Sequence, residues 1–216
     1  MQTFNNDTVL TDMLFMQLEF QQKILARRKQ LTPSDVTVTT QSKVYEACYH
    51  ASCMIVEMHE LYEEFQNDVD ECADNFSEDT KFELIDTWIF FLNQLLFSNV
   101  MPTKPLSYYF SKIKTAADLG FEPANVKPST QLEALIGRIT VANGKFIHNL
   151  RFKKWKEYDE LDDNVFELTK LVDDVLTEFA QLFAYFCMQP KDVWEYFNLK
   201  FDENTARQQI GGKYEK

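Results

Sequence analysis

The sequence predicts an all-α protein, a multi-helix bundle formed by one domain over residues 1–216. Apolar residues recur at three- and four-residue spacing along most of the chain, the mark of helices with one buried face. Glycine and proline are scarce, five and six in 216 residues, which favours long helices. Apolar residues make up 45% of the chain, enough for a sizeable core.

The elements follow in order. Residues 6–28 read as an amphipathic helix with Leu10, Leu14, Leu18, Gln21 and Leu25 along one stripe. The stretch LTPSDVTVTTQ is rich in Thr and Val, but Pro33 and Asp35 make it a loop or cap. Residues 42–65 form a second helix, and 67–77 an acidic connector. Residues 78–99 form a third helix with Ser77 as its N-cap, since a serine oxygen can accept from the free amides of the first turn. Residues 101–130 carry Pro102, Pro105, Pro123 and Pro128 and are the least regular part. Helices follow over 132–149, 163–186 and, from Pro190, to about 208. FELIDTWIFFL resembles TKLVDDVLTEF at an offset of 87 residues, which suggests a degenerate internal repeat of about 45–97 and 132–186. That offset sets Asp86 opposite Asp173, and Glu57, Glu60 and Glu83 opposite Gly144, Ile147 and Lys170. Chance likeness between two amphipathic helices stands beside it.

The net charge of −12 argues against nucleic acid as a partner. The run WIFFLNQLLF is too short and too interrupted to span a bilayer. Cys48, Cys53, Cys72 and Cys187 form no CxxC pair and no zinc pattern, so they read as buried thiols in a reducing compartment. The N-terminus lacks a basic region followed by a long apolar stretch, so the expected location is cytoplasmic, or the host cytoplasm for a viral chain.

Two acid pairs carry the chemistry. Glu57 and Glu60 lie in VEMHELYEEF, and Glu83 and Asp86 in KFELIDTWIFF. Residues three apart share a helix face. Two such helices side by side bring four carboxylates together, an arrangement that repels itself unless a cation enters. An all-oxygen shell suits Mg²⁺. Acidic residues at helical spacing usually decorate a solvated face. Glu83 and Asp86, however, sit within an apolar run with Lys81 as the one basic residue nearby. Near the C-terminus, Lys200, Asn204 and Arg207 share a face, followed by Gln208, Gly211 and Lys213. Such a set can grip phosphate oxygens, or simply end a polar helix. His59, between two ligand candidates, faces away from them by helical geometry and reads as structural or exposed. The run RFKKWK, with Trp155, reads as a helix cap and surface decoration.

Together these segments resemble the all-α nucleotide pyrophosphatase superfamily, most closely its dimeric dUTPase and phage dCTPase–dUTPase branch. That superfamily carries ExxE and then ExxD, here Glu57-x-x-Glu60 and Glu83-x-x-Asp86. The dimeric branch also carries a C-terminal K-x-x-x-N-x-x-R-Q-x-x-G-Y-K pattern, here Lys200, Asn204, Arg207, Gln208, Gly211 and Lys213, with Gly212 in the tyrosine's place and Tyr214 close by. Its base-reading Q-x-x-x-N element has Gln21 here, but Leu25 where asparagine is expected. Ile89 follows Trp88 where the family often has histidine.

The resemblance implies a homodimeric, Mg²⁺-dependent dUTP diphosphatase that releases dUMP and pyrophosphate and also accepts dCTP. Glu57, Glu60, Glu83 and Asp86 would hold Mg²⁺, with Glu57, or else Glu60, orienting the attacking water. Lys200, Asn204, Arg207 and Lys213 would bind phosphates, and Gln21, Gln208 and Tyr214 the rest of the nucleotide. The departures at Leu25 and Ile89 leave uracil against cytosine open. A dCTP-preferring or broader pyrophosphatase, and a non-catalytic helical interaction protein, are the alternatives.

Overall fold

The computed structural model describes residues 4–29, 40–70, 76–114, 127–150 and 165–209. They form seven helices: α1 (Val9–Lys29), α2 (Thr40–Asp70), α3 (Glu78–Ser98), α4 (Leu106–Phe110), α5 (Pro128–Asn149), α6 (Val165–Tyr185) and α7 (Pro190–Gln209). No strand occurs among the described residues, and the all-α expectation holds. No described helix is long and apolar enough to cross a membrane.

The long α2 exists because its apolar residues keep one period. Ala47, Ala51, Met54, Met58, Leu61 and Phe65 are buried at alternating steps of four and three. The helix outruns the expected stop at residue 65, and 67–70 are helical rather than connector. Asp68 explains the extension. It is buried, and its Oδ2 accepts from Thr80 Oγ1 at 2.6 Å, Ser77 N at 2.9 Å and Ser77 Oγ at 3.1 Å. Burial alone would raise its pKa, but those donors outweigh it and hold the carboxyl below the usual range. The end of α2 is thereby tied to the start of α3. Ser77 caps α3 as expected, its Oγ accepting from Thr80 N at 3.1 Å.

Helix α1 is rotated relative to the predicted stripe. Val9, Leu10, Met13, Leu14 and Gln17 are buried, whereas Leu18 is exposed and Gln21 and Leu25 are half-buried. The proline-rich stretch contains the short α4, which the proline count had hidden. Leu106 and Tyr109 anchor it, and the Tyr109 hydroxyl donates to Asp173 Oδ1 on α6 at 2.6 Å. Helix α5 begins at Pro128 rather than residue 132, because proline at the first helical position loses no hydrogen bond.

Helix α3 is the spine. It packs along α2 and also meets α1 and α7, while α6 packs on α5 and α4. Trp88 at its centre is fully buried against Phe91, Phe179 and Phe183, and its indole N–H donates to Met13 Sδ at 3.4 Å. One contiguous buried cluster draws side chains from all seven helices. Gln94 and Asn143 exchange two hydrogen bonds across it, at 2.6 and 3.1 Å, so neither buried amide is stranded.

Candidate metal centre

Met54, Met58 and Leu61 of α2 and Leu84, Ile85 and Trp88 of α3 are buried in one core cluster. The acids beside them in sequence therefore come to the margin of the helix pair. Glu57, Glu60 and Glu83 each place one carboxylate oxygen within 4.8 Å of the others. Glu57 and Glu83 are half-buried and Glu60 is exposed.

Glu57 is pushed up to about 7, first by burial and then by the charges of Asp86, Glu60 and Glu83, with Lys200 opposing. Glu83 is likewise pushed up to about 7 by burial and by Asp86, with Lys200 opposing and Glu60 and Glu64 adding repulsion. Burial is the larger cause in both, and repulsion among the acids adds to it. The donor set, all carboxylate oxygen, fits a hard divalent cation such as Mg²⁺.

Asp86 is one turn further along α3, and its nearest partner is a cation. Its Oδ2 accepts from Lys200 Nζ of α7 at 2.6 Å, in a pair whose side chains are 20% and 11% exposed. Burial raises the Asp86 pKa, and the Lys200 bond and charge oppose it. Lys200 is raised, because its contacts with Asp86 outweigh the lowering effect of burial. Lys81 is thus not the relevant base: its ammonium lies over the Tyr196 ring, 5.9 Å from the centroid. Three of the four predicted ligands form a close group, and the fourth is bridged to the predicted phosphate-binding lysine.

The remaining candidates lie further along α7 and on α1. Lys200 is also 3.7 Å from Glu203, which pairs with Arg207 as well. Asn204 is half-buried on the same helix. Gln208 meets α1: Arg27 Nη1 donates to its backbone oxygen at 2.6 Å and to its Oε1 at 3.3 Å. Phe20 and Phe201 join the same helices, with ring centroids 5.8 Å apart. Gln21, next in sequence to Phe20, is half-buried. Gly211, Lys213 and Tyr214 lie outside the described residues, as do Cys72 and the RFKKWK run.

His59 is exposed and pairs with Glu63 at 3.3 Å, as its position between the two candidate ligands implies. The thiols differ from expectation. Cys48 and Cys53 are half-buried, and Cys187 is exposed because it occupies the left-handed turn that ends α6, at φ 58°.

Two further residues carried no sequence signal. Gln17 and Asn93 are buried, and each has a side-chain oxygen without a hydrogen-bond partner among the described residues. Asn93 lies two turns beyond Asp86, on the same side of α3. An unmet buried acceptor is uncommon and suits a ligand N–H.

Comparison of the chain with protein-family models, with curated proteins and with solved structures finds no match.

Proposed function

We propose that the protein is a Mg²⁺-dependent nucleoside triphosphate diphosphatase that converts dUTP to dUMP and pyrophosphate and also accepts dCTP. The observation that carries this is the convergence of Glu57, Glu60 and Glu83 beside an Asp86–Lys200 bridge. A centre that joins excess carboxylate to a displaceable ammonium suits a substrate that arrives as a polyanion with a divalent cation.

Bound Mg²⁺ would supply charge neutralisation on the phosphate chain and acidify the attacking water. The chain's own residues do the rest. Glu57 orients the water and takes its proton. Asp86 releases Lys200 toward the phosphates, and Lys200 and Arg207 stabilise the charge that builds on the leaving pyrophosphate. Lys213 adds to that stabilisation, Asn204 orients phosphate or sugar, and Gln21, Gln208 and Tyr214 contact the nucleotide. The unmet oxygen of Asn93, on the same side of α3 as Asp86, suits an N–H donor of the base, which uracil and cytosine both present.

We also propose a homodimer. Phe15, Ile55, Val56 and Leu199 are large apolar side chains left exposed on helices.

The test is pyrophosphate release from dUTP, dCTP and dTTP, each with Mg²⁺ and with EDTA. Release from dUTP in Mg²⁺ alone is expected. Preference for dCTP, or equal use of all three, would favour the broader pyrophosphatase, as the leucine at position 25 allows. Absence of release from every nucleotide would overturn the enzyme and favour an interaction protein.

A further inference from the structure

The two helical hairpins can be laid over one another by burial. Moving α2 by 85 positions, 47 to 132, sets buried Ala47, Met54 and Phe65 on buried Leu132, Ile139 and Leu150. Moving α3 by 88 positions, 84 to 172, sets buried Leu84, Phe91 and Leu95 on buried Val172, Phe179 and Phe183. The same shift sets Asn99, at φ 57°, on Cys187, at φ 58°. These registers replace the single offset of 87 and change what faces the acids. Glu57, Glu60, Glu83 and Asp86 now correspond to Ala142, Lys145, Leu171 and Asp174.

At that place among the described residues the protein has an open cleft of about 650 Å³, lined in part by Ala142, Lys145 and Asp174. Lys112, Lys114, Arg138 and Glu178 complete its charged wall. Arg138 and Glu178 neutralise each other through two hydrogen bonds of 2.8 Å. The remaining charges are three lysines against Asp174. The wall is fixed rather than loose: Gln181 holds the Lys114 backbone through two bonds, at 2.8 and 3.0 Å. The floor is open, since a side chain at Gly137 would meet nothing within 4 Å. In a chain of net charge −12, this cleft is locally cationic where the other hairpin gathers acids.

We propose that the α5–α6 cleft is a second ligand site, which binds a phosphate-bearing small molecule of nucleotide size without a metal ion. Lys114 and Lys145 meet the phosphates as point charges. Ala142 and Val141 offer an apolar surface to the rest of the ligand. The volume lies within the range of small-molecule sites. The cleft does not depend on the hydrolase reading, because binding here uses neither the acid centre nor Mg²⁺.

The test is calorimetric titration of the full chain with inorganic tripolyphosphate in EDTA. Saturable binding is expected. Lys114→Glu with Lys145→Glu, both at exposed positions, should weaken it at least tenfold, and Lys145→Gln alone by a smaller factor. Glu57→Gln with Glu83→Gln should leave it unchanged. The Gly137 amide resonance should move on titration. No saturable binding in EDTA overturns the site. Binding that survives the double charge reversal, or that Arg207→Ala removes instead, overturns it equally. Absence of nucleotide hydrolysis would leave these results standing.

Discussion

Glu83 shows most directly how charge and stability oppose each other in the acid centre. Its folded-state pKa of about 7 lies above the ordinary 4.5, so folding favours the protonated form. That contribution is full below about pH 4.5 and is lost as pH rises through about 7. Without divalent ions, Glu83→Gln should therefore stabilise the protein at pH 8, by about 1 kcal/mol after solvent screening, and gain nothing at pH 4.5. Thermal melts at the two pH values check this, and a gain of equal size at both would refute it. The same variant should lose Mg²⁺-dependent hydrolysis, as should Glu57→Gln, Glu60→Gln and Asp86→Asn. Lys200→Met acts in the opposite sense. It strands Asp86, a largely buried acid, and should cost about 2 kcal/mol in EDTA, less in millimolar Mg²⁺. A melting temperature of that variant insensitive to Mg²⁺ would count against a cation at the centre. At this scale the sequence was informative where chemistry was local. The i, i+3 spacing placed Glu57 beside Glu60, and the apolar run around Glu83 flagged its burial. The bridge from Asp86 to Lys200 was illegible, because no local rule links residues so distant in the chain.

Helix ends follow the same division. Ser77 was readable as a cap, since capping needs only the serine and the amides of the next turn. The reach of α2 to Asp70 was not, because the anchor of Asp68 belongs to α3. Asp68→Ala leaves Thr80 and Ser77 without their acceptor and should destabilise by about 2 kcal/mol, read as a lower denaturation midpoint with unchanged slope. An unaltered midpoint would mean that the α2–α3 corner is held by packing alone. Helix α4 was hidden because a five-residue helix has too few turns for periodicity to register; Tyr109 holds it through a distant partner, Asp173. At the far end of α7, Arg207 belongs to a formed helix. Truncation after Gln208 should slow turnover and weaken triphosphate binding, with metal affinity nearly unchanged. Arg207→Ala should be worse by a further several-fold in kcat/KM, since it removes a charged donor on a helix that also carries Lys200. Equal losses in the two variants would argue against a phosphate role for Arg207.

At the scale of the whole molecule, the exposed apolar side chains on helical faces lead to the expectation of a dimer at micromolar concentration in sedimentation. Monomer alone would refute it. Ile55→Lys with Val56→Lys should shift such a dimer toward monomer if the α2 face is its interface. The sequence by itself determined the all-α fold class, where most of the described helices run, and that two acid pairs sit on consecutive ones. These properties follow from residue spacing, scarce glycine and proline, and caps, all of which act within a turn or two. Only the tertiary structure decided which acids converge, which acid instead takes Lys200, how α1 is rotated, and how the two hairpins register. Those outcomes depend on how helices far apart in the chain pack against one another, and that packing is set by the shape of the shared core around Trp88 rather than by any short stretch of sequence.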